Sequence, residues 1–371
     1  MRNVMSWINR AKGFAVIFFS SVIAFSIVEF SYRLFSEKDL KSSYTQRTML
    51  FESGKNFVNH KDYFKYFPNQ SIRSMTLYSK PQANSIEDIV IEYDYIINTN
   101  NMGLVMKGDL RTGDKVAFIA GDSFTEGQGA PPWFYRLEDD YHSSPLKLVN
   151  LGILGTGPMQ WKNLASSIIK ELDLRVGASV INITPDDMNR GVWTIKDREL
   201  RCLYKVDCDY NFGFQGFNFY NGHDYDDMKL AVLKSLTEKK FFNSDDHVTS
   251  VKKYMKKSRV TYDIYLFLKN KFGASKNEIV IMNEKALIAM KDAVEGNFIV
   301  NVVSQKTVNS TNFNKIKYAK QLIQFLELND INYSWCDIPP SGFHKNDGHP
   351  NSDGYEILRQ CTKDALVKVI Q

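Results

Sequence analysis

Clustered charge is the first thing missing from this chain of 371 residues. Its 47 Lys and Arg against 42 Asp and Glu leave a formal net charge of only +5. The basic residues are dispersed rather than gathered into a groove-sized block, so nucleic acid is not expected as a partner. Compositional bias is missing as well. At 43% hydrophobic and 24% charged, the chain has neither a collagen-like repeat nor a low-complexity segment and reads as globular. Cysteines are few, four in all. Cys202 and Cys208, in "RCLYKVDCDY", make a poor zinc signature with no second pair. They are close enough to form a disulfide that staples a local loop in an oxidising compartment. Cys336 and Cys361 each sit in an apolar segment and are ambiguous, a buried small hydrophobe being one reading and their state left open.

Long uncharged apolar runs are also scarce, with one exception. "GFAVIFFSSVIAFSIV", from Gly13 to Val28, carries no charge, and Arg2, Arg10 and Lys12 precede it. Phe30, Tyr32, Leu34 and Phe35 extend its apolar surface, while Glu29 and Arg33 stand four apart and can pair on one helix face. A cleaved signal peptide needs a small-x-small site, and none follows. Residues 1–36 are therefore expected to be an uncleaved transmembrane anchor of a single-pass inner-membrane protein, N-terminus cytoplasmic, with the remainder exported to the periplasm.

Residues 37–110 are rich in Tyr, Phe and Asn, and read as a β-containing lead-in packed on the main domain. Within it "EDIVIEYDYIINTNNMGL" alternates like a hairpin with a polar turn. Residues 111–371 then alternate strands with helices. "KVAFIA" (115–120), "LKLVNLG" (146–152), "ASVINIT" (178–184), "NFIVNVVSQ" (297–305) and the weaker "INYSWCDI" (331–338) are strand candidates. Amphipathic stretches at 158–173, 314–329 and 352–370 are helix candidates. Such alternation predicts a parallel sheet covered on both faces, with reactive groups at the carboxyl ends of its strands. A large insert, residues 187–296, separates the third and fourth strands and is too long for a simple crossover. It holds the Cys202/Cys208 loop and the aromatic stretch "DYNFGFQGFNFYNG", which suits stacking on sugar rings and equally suits packing of the insert on its host.

Chemistry is concentrated at two places. In "IAGDSFTEG", residues 119–127, an apolar strand stops at Gly121 and presents Ser123 on a tight turn. A nucleophilic serine needs a base, a group to orient that base, and donors for the oxyanion. Ser123 supplies its own N–H as one donor, and Gly121 and Gly127 permit the tight backbone. An ordinary capped turn, with Glu126 closing a capping box, is the plainer reading, and Asp122 is taken to brace the turn. The other pieces lie far along the chain. "NDGHPNSDGY", residues 346–355, follows the last strand, and a parallel sheet would bring its His349 beside Ser123, with Asp347 in reach of the imidazole. His344, Asp347, His349 and Asp353 could be grouped as metal ligands, but an Asp–His pair serving Ser123 accounts for them better. No metal or cofactor is expected.

"GDSFTEG" and "DGHPNSDGY", in this order across residues 110–371, resemble the first and last blocks of the SGNH/GDSL hydrolase superfamily. The resemblance implies a flavodoxin-like three-layer α/β/α fold and esterase, lipase, carbohydrate deacetylase or acyltransferase activity. It implies Ser123 as nucleophile, His349 as base and Asp347 as its orienter. Gly155 in "NLGILGTGP" matches a second oxyanion donor. The third block departs from the family: "TPDDMNR" puts Asp186 where an oxyanion-hole Asn belongs, with Arg190 four residues on as its neutraliser and a substrate-binding candidate. Asn182 and Asn189 are near enough for a shifted alignment to restore the donor. The expected function is therefore a serine esterase or acyltransferase working through an acyl-Ser123 intermediate. Its expected substrate is an O-acyl, above all O-acetyl, group of a cell-envelope polysaccharide or a small ester, and a transferase would need a membrane partner. The alternative is a degenerate domain of this type that binds polysaccharide or scaffolds an envelope complex without turnover, and Asp186 is what favours it.

Overall fold

A run of residues that are apolar on both strand faces, Val116 to Ala120, is fully buried and forms the centre of the molecule. Burying a Val, Phe or Ile side chain contributes roughly 1.5–3 kcal/mol, which favours burial of this strand on both faces. The computed structural model describes residues 46–52, 57–60, 62–80, 83–191, 215–217, 225–237, 276–294, 297–305 and 313–370, with single positions at 20, 24 and 26. Nearly all of these fall in one compact unit, Ser42–Phe242 with Ser275–Gln371. The second unit is Met1–Lys41 with Asn243–Ala274.

The lead-in supplies three strands of a four-stranded sheet and a small hairpin. In chain order its strands are β1 (Gln46–Glu52), β2 (Phe57–Asn59), β3 (Phe64–Tyr66), β4 (Ser71–Ser79) and β5 (Ile89–Asn98). The strands of the α/β layers are β6 (Lys115–Gly121), β7 (Lys147–Asn150), β8 (Arg175–Ile183), β10 (Phe298–Gln305) and β11 (Tyr333–Ile338). The three-residue β9 (Gln215–Phe217) joins the first sheet, whose order is β5-β4-β1-β9. The second sheet is ordered β11-β10-β8-β6-β7, and every pair in it is parallel. Counted along the chain this is the order 2-1-3-4-5, which reverses direction between β6 and β8. Ligands of open α/β sheets bind at such a reversal, beyond the carboxyl ends of the strands.

Seven helices are described: α1 (Ser123–Glu126), α2 (Phe134–Asp140), α3 (Pro158–Leu172), α4 (Tyr225–Thr237), α5 (Lys276–Asp292), α6 (Phe313–Leu328) and α7 (Ser352–Ile370). Among the main-domain helices, α7 crosses β8, β10 and β11 and touches α2, while α3 lies beside α5. With the strands buried between them, the result is a three-layer α/β arrangement. The helix α5 belongs to the stretch 187–296 that reads as an insert, yet Asn283 on it caps α3 by accepting the Met159 N–H at 3.0 Å. Its amide also donates to the Met188 and Arg190 carbonyls at 3.0 and 2.9 Å.

Three expectations change. The segment 89–103 is not a hairpin: Ile89–Asn98 is one ten-residue strand whose antiparallel partner is the upstream β4. The pairing slips between Thr76 and Leu77, where Tyr93 and Ile91 are the successive partners and Glu92 is left over as a bulge. Ile89 and Ile91 therefore face Met228 and Val232 of α4, whereas Tyr93, Tyr95 and Ile97 join the main core. Cys336 and Cys361 are not separate small hydrophobes but a disulfide, Cα to Cα 5.7 Å, tying β11 to α7. The expectation of a single-pass inner-membrane protein is withdrawn: among the described residues no helix is long and apolar enough to cross a membrane, and the stretch 13–28 that prompted it lies outside the described residues save three positions. Cys202, Cys208 and most of the aromatic stretch 209–222 also lie outside them.

The Cys336–Cys361 bridge closes a loop of 25 residues that contains Asp347 and His349. Replacing both cysteines by alanine is expected to lower the unfolding free energy by about 3–4 kcal/mol in urea titrations, from loop-closure entropy alone. A change under about 1 kcal/mol would show that the strand and helix are held without it.

Candidate active site

The turn after β6 is built so that only glycine can precede it. A Cβ on Gly121 would stand 2.0 Å from Thr125 Oγ1 and 2.6 Å from the Asn182 carbonyl. Asp122 is the N-cap of α1, its Oδ1 accepting the Phe124 N–H at 2.9 Å, and Gly127 closes the helix at φ 99°. Capping is thus done by Asp122, which leaves the Ser123 hydroxyl free for another partner. That partner is His349, whose Nε2 is 2.9 Å from Ser123 Oγ.

His349 is carried by the loop between β11 and α7, pinned by a bridge between Phe343 and Pro350 and by the His344 N–H on the His349 carbonyl at 3.1 Å. Its Nδ1 lies 2.6 Å from Asp347 Oδ1. An ionised carboxylate only accepts, so Nδ1 carries the hydrogen and Nε2 is left to accept from Ser123. Burial by itself would push the Asp347 carboxyl up. The His349 hydrogen bond and charge, then Arg47, then the Tyr93 hydroxyl outweigh it and hold the group well below the usual carboxylate range.

Behind Ser123 sits a second set of charges. Asp122 Oδ2 is 3.5 Å from Ser123 Oγ and accepts from Arg190 Nη1 at 2.8 Å. Arg190 also lies 3.0 Å from Asp187 Oδ1 and 3.7 Å from Asp186 Oδ2. Asp186 was expected at the oxyanion corner, but its side chain is 48% exposed. The buried acid is its neighbour Asp187, which accepts the Thr184 N–H at 2.8 Å. Burial first, then the charge of Asp122, push Asp187 well up against the opposing pull of Arg190. The signal for Asp187 was present as a capping box, Thr184 with an acid three residues on. Asn182 is turned into the sheet, where its Oδ1 accepts from Asn301 at 2.9 Å and Thr362 at 3.2 Å.

Gly155, at φ 70°, lies on the loop 151–157 that follows β7. That loop packs directly on α1, since a Cβ on Gly152 would meet the Glu126 nitrogen at 2.4 Å. The Glu126 carboxyl receives the Leu154 N–H and the Tyr66 hydroxyl at 2.9 Å. Glu126 is therefore a buried brace between α1, the Gly155 loop and β3, not the capping-box partner the sequence suggests. Burial, offset by those two hydrogen bonds and reinforced by Asp122, pushes it up to about 8.

No family model matches the chain, and no curated protein matches it in sequence. Solved structures do match in part. A catalytic mutant of an acetylxylan esterase from Geobacillus stearothermophilus is 13% identical over 69% of this chain and 95% of that one, with a TM-score of 0.35. An alpha/beta hydrolase enzyme from the metagenome of Lake Arreo, Spain, is 13% identical over 70% of this chain and 98% of that one, TM-score 0.35. A GDSL-like lipase from Bacteroides thetaiotaomicron is 13% identical over 69% and 88%, TM-score 0.30.

The raised Glu126 value has a definite sign in stability. The folded protein holds a proton there that the unfolded chain releases near pH 4.5, so stability is largest below that pH and falls as pH rises towards about 8. Glu126→Gln removes the penalty while keeping an acceptor for Leu154. Its melting temperature is expected to gain on the parent between pH 5 and pH 8, and a constant difference across that range would contradict the assignment.

Proposed function

We propose that this chain is a serine esterase or acyltransferase of the SGNH type, working through an acyl-Ser123 intermediate. One observation carries the reading: Ser123 Oγ, the His349 ring and the Asp347 carboxylate form a continuous relay of 2.9 and 2.6 Å at the reversal point of a parallel sheet. His349, on one loop with Asp347, lies 226 residues along the chain from Ser123, and the three groups fall in the order that a serine nucleophile needs.

The chemistry follows from the atoms. Ser123 Oγ attacks the ester carbonyl carbon as its proton passes to His349 Nε2, and Asp347 steadies the imidazolium that forms. The carbonyl oxygen becomes an oxyanion facing the Ser123 N–H, with the Gly155 N–H as the second donor. Collapse expels the alcohol, which takes the proton from His349. The acyl-Ser123 is then released to water, in hydrolysis, or to another hydroxyl, in transfer. Arg190 offsets the charge of Asp122 beside the serine. The substrate class proposed is a carboxylic ester of an alcohol. The glycan part of the expectation leaned on the withdrawn anchor and on the aromatic stretch outside the described residues.

Labelling by a fluorophosphonate probe tests the nucleophile. Ser123 is expected to be modified, and Ser123→Ala to lose both labelling and at least about 10³-fold in turnover of an activated acetyl ester. A wild-type protein that neither labels nor turns over would leave the domain as a non-catalytic binder. Asp186 provides a second check. An exposed ion pair is worth about 1 kcal/mol or less, so Asp186→Asn is expected to keep the small-ester rate within about fivefold. A loss of two orders of magnitude or more would place its carboxylate in the reaction after all.

A further inference from the structure

The Asp347 carboxylate is shared between two domains' worth of chain. Its Oδ1 serves His349, through Nδ1 at 2.6 Å and the backbone N–H at 3.3 Å. Its Oδ2 accepts the Tyr93 hydroxyl at 2.8 Å and faces Arg47 Nε at 3.2 Å. Arg47 is on β1 and Tyr93 on β5, so both belong to the four-stranded sheet that the lead-in contributes to. The Tyr93 oxygen accepts in turn from Arg47 Nη2 and from Gln128 Nε2, each at 2.8 Å. Gln128 donates its own N–H to the Ser123 carbonyl at 2.9 Å, which closes a circuit from the acid back to the nucleophile's turn.

The bulge at Glu92 makes this possible. With regular alternation Tyr93 would fall on the face of Ile89 and Ile91, against α4. The extra residue turns it to the opposite face, towards Asp347. Bulges commonly re-aim a side chain beside a site. Glu92 itself accepts the Asn346 N–H at 2.8 Å, next to Asp347 in the same loop.

We propose that Arg47 and Tyr93 are positioning residues that aim Asp347 at His349 and share its charge, so that the lead-in sheet sets the pH range in which Ser123 is activated. The inference rests on the esterase reading above. The groups facing the Asp347–His349 pair are Arg47 from β1, Tyr78 from β4 and Tyr93 from β5, with His344 on the pair's own loop and Asp122 beside Ser123. Arg47 is the permanent cation of this group. Its charge opposes a second positive charge on the imidazole and draws on the carboxylate that would stabilise it.

Removing that charge leaves more of the Asp347 charge to His349, which then retains a proton to higher pH and cannot accept one from Ser123. The acid limb of kcat/KM for a small acetyl ester is expected to move up by about 0.5–1 pH unit in Arg47→Gln. Arg47→Lys, which keeps the charge, is expected to stay near the parent. Tyr93→Phe is expected to move the limb in the same direction and to lower kcat about tenfold with KM little changed. The farthest-downfield proton resonance, from the His349 Nδ1–H shared with Asp347, should move further downfield in Arg47→Gln. Circular dichroism melts establish that each variant folds, and if Arg47→Gln does not, Tyr93→Phe carries the test. Superimposable pH profiles, or equal shifts in the Lys and Gln variants, would overturn the proposal. A wild-type protein without serine-dependent turnover would sink the esterase reading alone. The downfield proton would still decide this one, and no movement of it in Arg47→Gln would refute the charge sharing.

Discussion

A carboxylate whose side chain is 5% exposed sets the terms for this site. Left alone, Asp347 would protonate rather than carry its charge into so dry a place. It stays ionised because the donors that reach it satisfy both oxygens. One side of that requirement is met within its own loop by His349. The other can only be met from outside the α/β layers, by Tyr93 and Arg47. The four-stranded sheet therefore has to lie where it does, and the bulge at Glu92 has to turn Tyr93 inward. The Ser123–His349 contact depends on all of this, since an imidazole not held at Nδ1 has no fixed direction for Nε2.

The α/β half of the fold was legible because its strands are short, apolar and bounded. Five candidate runs became five strands whose ends moved by at most three residues, and the three helical stretches shifted by about a residue. The antiparallel half was not legible, for reasons that can be named. β4 buries Ser74 and Thr76 completely, so its sequence does not look like a core strand. The stretch "EDIVIEYDYIIN" alternates and its polar sequel looks like a hairpin turn, so neither the bulge at Glu92 nor the pairing with the upstream β4 shows in the sequence. Antiparallel pairing with a half-polar partner is invisible to a hydropathy pattern that expects one face wet.

The site divides in the same way. Ser123, Asp347 and His349 were readable because each stands in a local motif with a mechanical reason for its glycines and its loop. Arg47 and Tyr93 carry no such local mark. Tyr93 lies 254 residues from the acid it serves, and only the folded sheet brings them together. Asp186 and Asp187 are adjacent acids in one 3-10 turn; the family block points to Asp186, whereas the buried acid beside Arg190 is Asp187. The buried acid carries a local mark: Asp187 stands three residues after Thr184 and accepts its backbone N–H at 2.8 Å. The Cys336–Cys361 bridge was missed because each cysteine alone is indistinguishable from a small core residue, and pairing is a property of the strand–helix contact.

Charge around the relay is arranged in two matched pairs. Arg47 faces Asp347 at one end, and Arg190 faces Asp122 at the other, 3.5 Å from the serine hydroxyl. Asp187, pushed well up by burial, weighs less against Arg190 than its position suggests. Between the two pairs lie the Ser123 hydroxyl and the His349 ring. In low-dielectric surroundings, uncompensated charge in the resting site would bias the proton before any substrate arrives. With both acids matched, the charges left to respond are those that develop in the reaction, the oxyanion and the imidazolium. On the proposed esterase reading, Asp347 would stabilise the imidazolium directly, and Arg190 would keep Asp122 from repelling the oxyanion. The lead-in sheet and the turn after β8 thus do the same electrostatic work from opposite sides of one serine.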